Sequence, residues 1–235
     1  MFETFLVQPI YNLFIFLVGI MPGGDAGLAI IALTLAMRLV LYPVFTSSIR
    51  TQMGMQAMQP ELDTASERYK NDKEALARER MALLKKYKVN PFAGIAALAI
   101  QLVVIIALYF ALFHEGFPAI NAELLYAFVS APAAVSTSFF GLLDLLTPYH
   151  LLLSVLVGAS QYVAIWLTLR RTPLSATLHP DKVAVQRLQQ NMMLYAMPAL
   201  MAVISYTFAG AVGLYFLVSN LVSVLQEWLI RRHIL

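Results

Sequence analysis

Residues 26–45 read AGLAIIALTLAMRLVLYPVF. Roughly 20 mostly apolar residues suffice to cross a bilayer, and this run opens cleanly. Pro22-Gly23-Gly24 breaks the chain ahead of it, and Asp25 stands where an N-cap belongs. Arg38 makes the stretch decisive. In a continuous helix from Asp25 to Arg50, a rise of 1.5 Å per residue puts it roughly 18–20 Å from either flank. That is near mid-membrane, where an arginine costs at least ~2.5–3.5 kcal/mol on insertion scales.

The rest of the chain agrees that lipid is its second solvent. Of 235 residues, 60% are apolar and 12% charged, with a mean hydropathy of +0.73. A water-soluble globule of this length could not hide so much apolar surface. Disorder, a collagen-like fibre and a cysteine-stapled module are excluded by the same composition. The absence of cysteine also removes disulfides, thiolate nucleophiles, Cys-ligated metals and Cys-borne lipid anchors.

Four further stretches qualify as spans: about Phe92 to Phe113 after Asn90-Pro91, Tyr149 to Leu169 after Pro148, Asn191 to Phe208, and Val212 to Ile230. The last two form a hairpin around Gly210 and Gly213. Met1 to Ile20 is also apolar, but Pro9 would bend a spanning helix. Thr4, Gln8 and Asn12 share one helical face, opposite Phe5, Leu6, Ile10 and Leu13. The reading is an interfacial helix lying along the membrane; a sixth span is the competing one.

Charge sets the orientation. Nine of the 16 Lys and Arg lie between Arg50 and Lys88, four between Arg170 and Arg187, and two at Arg231-Arg232, leaving Arg38 within the first span. The opposite side receives none. By the positive-inside rule the N-terminus is outside, while the loops after the first and third spans and the C-terminus are cytoplasmic. The basic excess is thus a topology signal and calls for no specific nucleic acid.

Residues 46–90, the one large polar block, are rich in helix formers, with a helix expected to start at Pro60-Glu61. Two antiparallel helices joined near Asn71 are the economical arrangement. Met53, Met55 and Met58 offer a polarisable cluster suited to capturing varied apolar segments; packing of these side chains against lipid or the hairpin is the equal alternative. On the other side, Leu124 to Val129 and Phe139 to Leu146 are too short to span and are expected to rest on the bilayer. The expected fold is therefore an all-α integral membrane protein with five transmembrane helices, an N-terminal interfacial helix and a cytoplasmic helical hairpin. Its parts are 1–24 (interfacial), 25–48 (first span), 49–90 (hairpin) and 91–235 (four remaining spans).

No carboxylate is available to Arg38 within a span; Asp144 and Glu227, at span ends, are the nearest candidates. Neutral polar groups or water must then hold it. Gln101, Gln161 and Asn220 each lie about 13–17 Å from a cytoplasmic boundary by helical rise, and Thr34 is one turn from Arg38. Together they suggest the wall of a water-holding groove open to the cytoplasm. Interhelical hydrogen-bond glue is the competing role for each glutamine or asparagine alone, but leaves Arg38 unexplained. His114, His150, His179 and His233 show no metal spacing, and no hydrolase or metalloprotease motif is present. The reading is not an enzyme, with no cofactor and no metal.

These residues resemble the YidC/Oxa/Alb membrane-protein insertases over nearly the whole chain. Met37-Arg38-Leu39-Val40-Leu41-Tyr42-Pro43 is similar to the family's first core span, Met58-Gln59-Pro60-Glu61-Leu62 to its hairpin, Lys88-Val89-Asn90-Pro91-Phe92 to its second-span entry, and Gly213 to Leu221 to its last span. The resemblance implies a chaperone-like insertase of a bacterial cytoplasmic membrane, in which Arg38 is the groove cation with Thr34 and Tyr42 on its face. Tyr215 and Phe216 would form the aromatic edge along which a substrate helix slides. The chain departs from many family members in that a short form is expected, without a large external domain or a long basic tail, so any ribosome contact would use the loops. Phe92-Ala93-Gly94-Ile95 departs from the Gly-Gly-Cys-like stretch common after the family's Asn-Pro. Expected partners are nascent membrane proteins and lipid, with the Sec translocon and the ribosome as further candidates and a monomer as the working unit. The alternative is a small channel or transporter subunit.

Overall fold

The computed structural model describes residues 3–110, 112, 117–170 and 180–234. Phe113, His114, Glu115, Arg171 and His179 lie outside the described residues. The chain is built from helices α1 (Gln8–Ile20), α2 (Ala26–Val40), α3 (Tyr42–Arg68), α4 (Lys73–Lys86), α5 (Ala93–Tyr109), α6 (Leu151–Arg170), α7 (Pro180–Asn191), α8 (Met197–Thr207) and α9 (Gly210–Ile234). Strands β1 (Ser138–Phe139) and β2 (Leu143–Asp144) pair as a short antiparallel hairpin. Among the described residues, α6 and Gly210–Ile230 of α9 are each long and apolar enough to cross a membrane, and α2 with α3 reaches that length as a bent pair. Thr4–Ile20 and α5 are shorter apolar helices.

Asp25 caps α2 as expected: its Oδ1 accepts the Gly27 and Leu28 N–H groups at 2.7 and 3.0 Å. Its Oδ2 also accepts from Phe140 N–H at 3.0 Å, tying the β-hairpin to the helix start. Gly24, at φ +67°, permits this junction, because a Cβ there would overlap the Ala134 carbonyl.

The single continuous first span is corrected. α2 ends at Val40, and α3 departs from it at 67°. Pro43 supplies the cause: it has no N–H to offer the Leu39 carbonyl, and its ring crowds that oxygen. Leu41 N–H still closes on Met37 at 2.9 Å, after which the chain restarts. The depth of Arg38 measured from Arg50 therefore fails, and only the distance from Ala26, roughly 18 Å by helical rise, survives.

A helix start at Pro60 is also corrected, since α3 runs unbroken through it. One backbone bond is lost there, but the flanking turns are held. Gln59 Nε2 donates to Asp63 Oδ1 at 3.0 Å, and Thr64 Oγ1 to the Pro60 carbonyl at 3.0 Å. The hairpin is otherwise as expected. Asp72 caps α4 through the Glu74 and Ala75 N–H groups, and Met58, Leu83 and Val89 form a small buried cluster between α3 and α4. Lys88 and Val89 N–H groups close on the Lys85 and Leu84 carbonyls at 3.1 and 2.8 Å, a Schellman end with Lys88 at φ +52°. Glycine is usual there, and a side chain costs about 1–2 kcal/mol.

The outer segment does not simply rest on lipid. Leu145 and Val129 are buried in the main core with Phe14, Ile15, Ala29 and Ile30, whereas Phe128, Phe140 and Leu142 stay exposed. The polar face of α1 grips this segment. Gln8 Nε2 and Asn12 Nδ2 donate to the Leu124 carbonyl at 3.1 and 2.8 Å, and Asn12 Oδ1 accepts Tyr126 N–H at 2.7 Å.

α7 passes through a wide turn at Met192–Ala196 into α8. Pro198 accounts for it, being unable to donate to Leu194. α6 packs on α8 and α9 at close range: a Cβ on Gly158 would meet Ala202 Cβ at 3.1 Å, and one on Gly213 would press into Ser205 and Leu153.

Met58→Ala should cost about 2–5 kcal/mol of hairpin stability, while Met55→Ala, at an exposed site, should cost little. The Lys86 ammonium, then the Tyr87 hydroxyl, bonded to Glu61 at 2.6 and 2.7 Å, hold the Glu61 carboxyl below its usual range. This contact is therefore present at neutral pH and fades as pH falls through that lowered value. Spin-label distances between α3 and α4 should broaden on acidification in wild type and be broad at every pH in Glu61→Gln.

Candidate functional site

Arg38 occupies the last turn of α2. Its Nη2 donates to the Ser219 carbonyl of α9 at 3.1 Å, and its guanidinium carbon lies 4.3 Å from the centroid of the Phe45 ring. The bend at Leu41 is what swings Phe45 over the charge. Among the described residues the ion pairs are Arg78–Glu74 and Lys86–Glu61, so Arg38 has no carboxylate partner there. A carbonyl and an aromatic face are the neutral substitutes that a partly buried cation requires.

Beside Arg38 lies a cavity of about 410 Å³. Ser48, Gln52 and Gln56 reach it from α3, Gln186, Gln189 and Gln190 from α7, Thr168 from α6, and Gln226 and Glu227 from α9. This volume holds many waters. Gln186 Oε1 and Gln226 Oε1 are buried without a hydrogen-bond partner among the described residues, acceptors that water or a ligand must satisfy. Glu227 accepts from Thr168 Oγ1 at 3.1 Å. Eight residues beyond Ser219, it stands roughly 12 Å farther along α9, giving the cavity a cation at one end and an acid at the other.

Of these lining residues the sequence reading singled out only Arg38 for the groove. The signals were nonetheless present: Ser48, Gln52 and Gln56 recur at i, i+4, i+8, and Gln186, Gln189 and Gln190 at i, i+3, i+4, each defining one helical face.

The other expected groove residues sit elsewhere. The Thr34 hydroxyl bonds back to the Ile30 carbonyl at 2.7 Å, and Gln101 Nε2 donates to the Tyr215 hydroxyl. With Arg38 they surround a void of about 10 Å³, at the lower limit for one water; this layer is packed shut. Asn220 Nδ2 donates to Ser160 Oγ at 3.0 Å, joining α9 to α6. Gln161 is half-buried on α6 and lines neither space.

Tyr42 does not share the face of Arg38, because helical phase ends at Leu41. It lines a different cavity with Met53. Tyr215 is buried, whereas Phe216 lines an apolar furrow of about 490 Å³ with Leu102, Ile105, Met201 and Phe208. Met58 is in the hairpin core, and Met55 edges a third cavity beside Gln52 and Gln59.

Comparison with known proteins places this arrangement. Residues 17–235 match the family model described as 60Kd inner membrane protein. The chain belongs to this family. The chain is also similar to proteins named membrane protein insertase YidC. That of Haemophilus ducreyi is 30% identical over 233 residues, covering 98% of this chain and 38% of the relative. That of Actinobacillus pleuropneumoniae serotype 3 is 29% identical over 233 residues, covering 98% and 37%. That of Cupriavidus taiwanensis is 31% identical over 229 residues, covering 97% and 36%. The chain thus spans less than two-fifths of the length of these relatives. The YidC/Oxa/Alb resemblance read from Arg38, Pro43, Pro60 and the Gly213 to Leu221 run agrees with this membership.

For this family member, Gln101→Leu and Tyr215→Phe should each lower thermal stability in detergent. In a double-mutant cycle the pair should couple by about 0.6 kcal/mol, the average for interhelical side-chain bonds in a membrane protein. A coupling of zero would mean the bond adds nothing to the shut layer.

Proposed function

We propose that the chain is a membrane protein insertase of a bacterial cytoplasmic membrane. On this reading it has five spans, the N-terminus outside, and the hairpin and C-terminus in the cytoplasm. The observation that carries the proposal is a guanidinium facing a cavity in which, among the described residues, it has no acid partner and the buried Gln186 and Gln226 amide oxygens have no hydrogen-bond partner.

A hydrophilic flank cannot cheaply cross roughly 30 Å of hydrocarbon. A hydrated cavity entered from the α7 and α3 side shortens that distance. The acceptors of Gln186 and Gln226 and the cation at Arg38 offer the flank the hydrogen bonds it leaves behind in water. Acidic flanks are favoured twice, by Arg38 and by a membrane potential worth ~2.3 kcal/mol per charge per 100 mV. The apolar segment leaves sideways into lipid along the furrow containing Phe216. Burial of that segment and the potential supply the driving force. The shut layer of Thr34, Gln101 and Tyr215 supports a groove closed toward the outside in place of a sealed pore. Nascent membrane proteins and lipid are the partners, with the Sec translocon and ribosome approaching from the hairpin side.

In liposomes containing the purified chain, Arg38→Ala should lower insertion of a small protein with an acidic flank about tenfold, equivalent to ~1.4 kcal/mol, and hardly affect one with an uncharged flank. Arg38→Lys should fall between, keeping the charge and the ring contact but losing the planar fork. Equal insertion of the acidic-flank substrate by wild type and Arg38→Ala would falsify the role of the charge.

A further inference from the structure

On the far side of the Leu41 bend lies a cavity of about 770 Å³, between α3 and the end of α4. Its walls carry Arg50, Lys88, Tyr42, Tyr87 and Thr46 and, among the described residues, no carboxylate. Arg50 and Lys88 form no ion pair among the described residues. The carboxylate that reaches this region, Glu61, accepts from the Tyr87 hydroxyl and is held by Lys86 at 2.6 Å. The Thr46 hydroxyl is buried without a partner among the described residues. Two cations and an unmatched hydroxyl around one concave space match the chemistry of a phosphodiester anion.

The surroundings identify its source. Leu39 and Val40, immediately before the bend, are each 73% exposed, and Phe92, shortly after Lys88, is 71% exposed. Exposed apolar side chains thus lie within a few residues of the pocket's Tyr42 and Lys88 along the chain, the profile of an acyl chain joined to its headgroup. Lys88 reinforces the assignment. It occupies the left-handed Schellman position at the end of α4, which glycine fills more easily, and places a cation in the cavity wall there.

We propose that this cavity binds the phosphate headgroup of an anionic glycerophospholipid, with Arg50 and Lys88 as the charged ligands and Thr46 as a donor. The site rests on Leu41 and Tyr42 lying at a membrane boundary and is independent of insertase activity. The test uses the full chain in detergent micelles doped with phosphatidylglycerol or phosphatidylcholine, with retained lipid read by native mass spectrometry. Phosphatidylglycerol should be retained over phosphatidylcholine, and Arg50→Gln and Lys88→Gly should each reduce that retention about fivefold. Lys88→Gly suits the local backbone, so its fold is preserved and lost binding reports the lost cation. Retention of phosphatidylglycerol by the double variant at the wild-type level overturns the site. Displacement of bound lipid by millimolar inorganic phosphate reassigns it to free phosphate and overturns the lipid. Insertion into liposomes, measured separately, bears on the insertase proposal alone.

Discussion

A missing hydrogen-bond donor organises this molecule. Pro43 has no N–H to continue the ladder of α2, so the chain turns by 67° within three residues of Arg38. From that turn follow the Phe45 ring over the guanidinium, the inward face of Ser48, Gln52 and Gln56, and the separation of Tyr42 from the Arg38 face. To the Ser219 carbonyl that α9 offers Arg38, α3 beyond the bend adds an aromatic ring and one wall of a cavity.

The cavity and the shut layer above it divide the polar side chains of the membrane region between two tasks. Thr34, Gln101, Tyr215, Asn220 and Ser160 satisfy one another or the backbone and fix helix to helix. The glutamines of α3, α7 and α9 do not all find partners among the described residues. That contrast separates structural glue from a surface prepared for something polar, and it could not be drawn from depth along the sequence.

The helical, apolar character of the chain was legible because apolar runs and capping residues are local signals. Asp25 caps its helix as expected, and two helices join near Asn71. The failures share one cause, which is that a single helical period says nothing of what lies opposite. Gln8 and Asn12 look like a wet face, yet they hold the Leu124 and Tyr126 backbone. Met58 looks like a capture surface, yet it fills the hairpin core. The amides of α7, passed over in the sequence, wall a cavity opposite α3. Pro60, the residue expected to start a helix, sits inside one because the hairpin cluster and the flanking side-chain bonds offset the lost ladder bond.

The 27 residues of α3 also set a mechanical ratio. As a rod of about 40 Å hinged at its Tyr42 end, it carries Phe45 only about 4–5 Å from the pivot. When the far end near Arg68 swings by several ångströms, the ring over Arg38 is displaced by roughly a tenth as much. The distal tip can therefore search and yield while the stacked guanidinium stays in register, so mobility at one end of a single helix is compatible with a steady electrostatic site at the other.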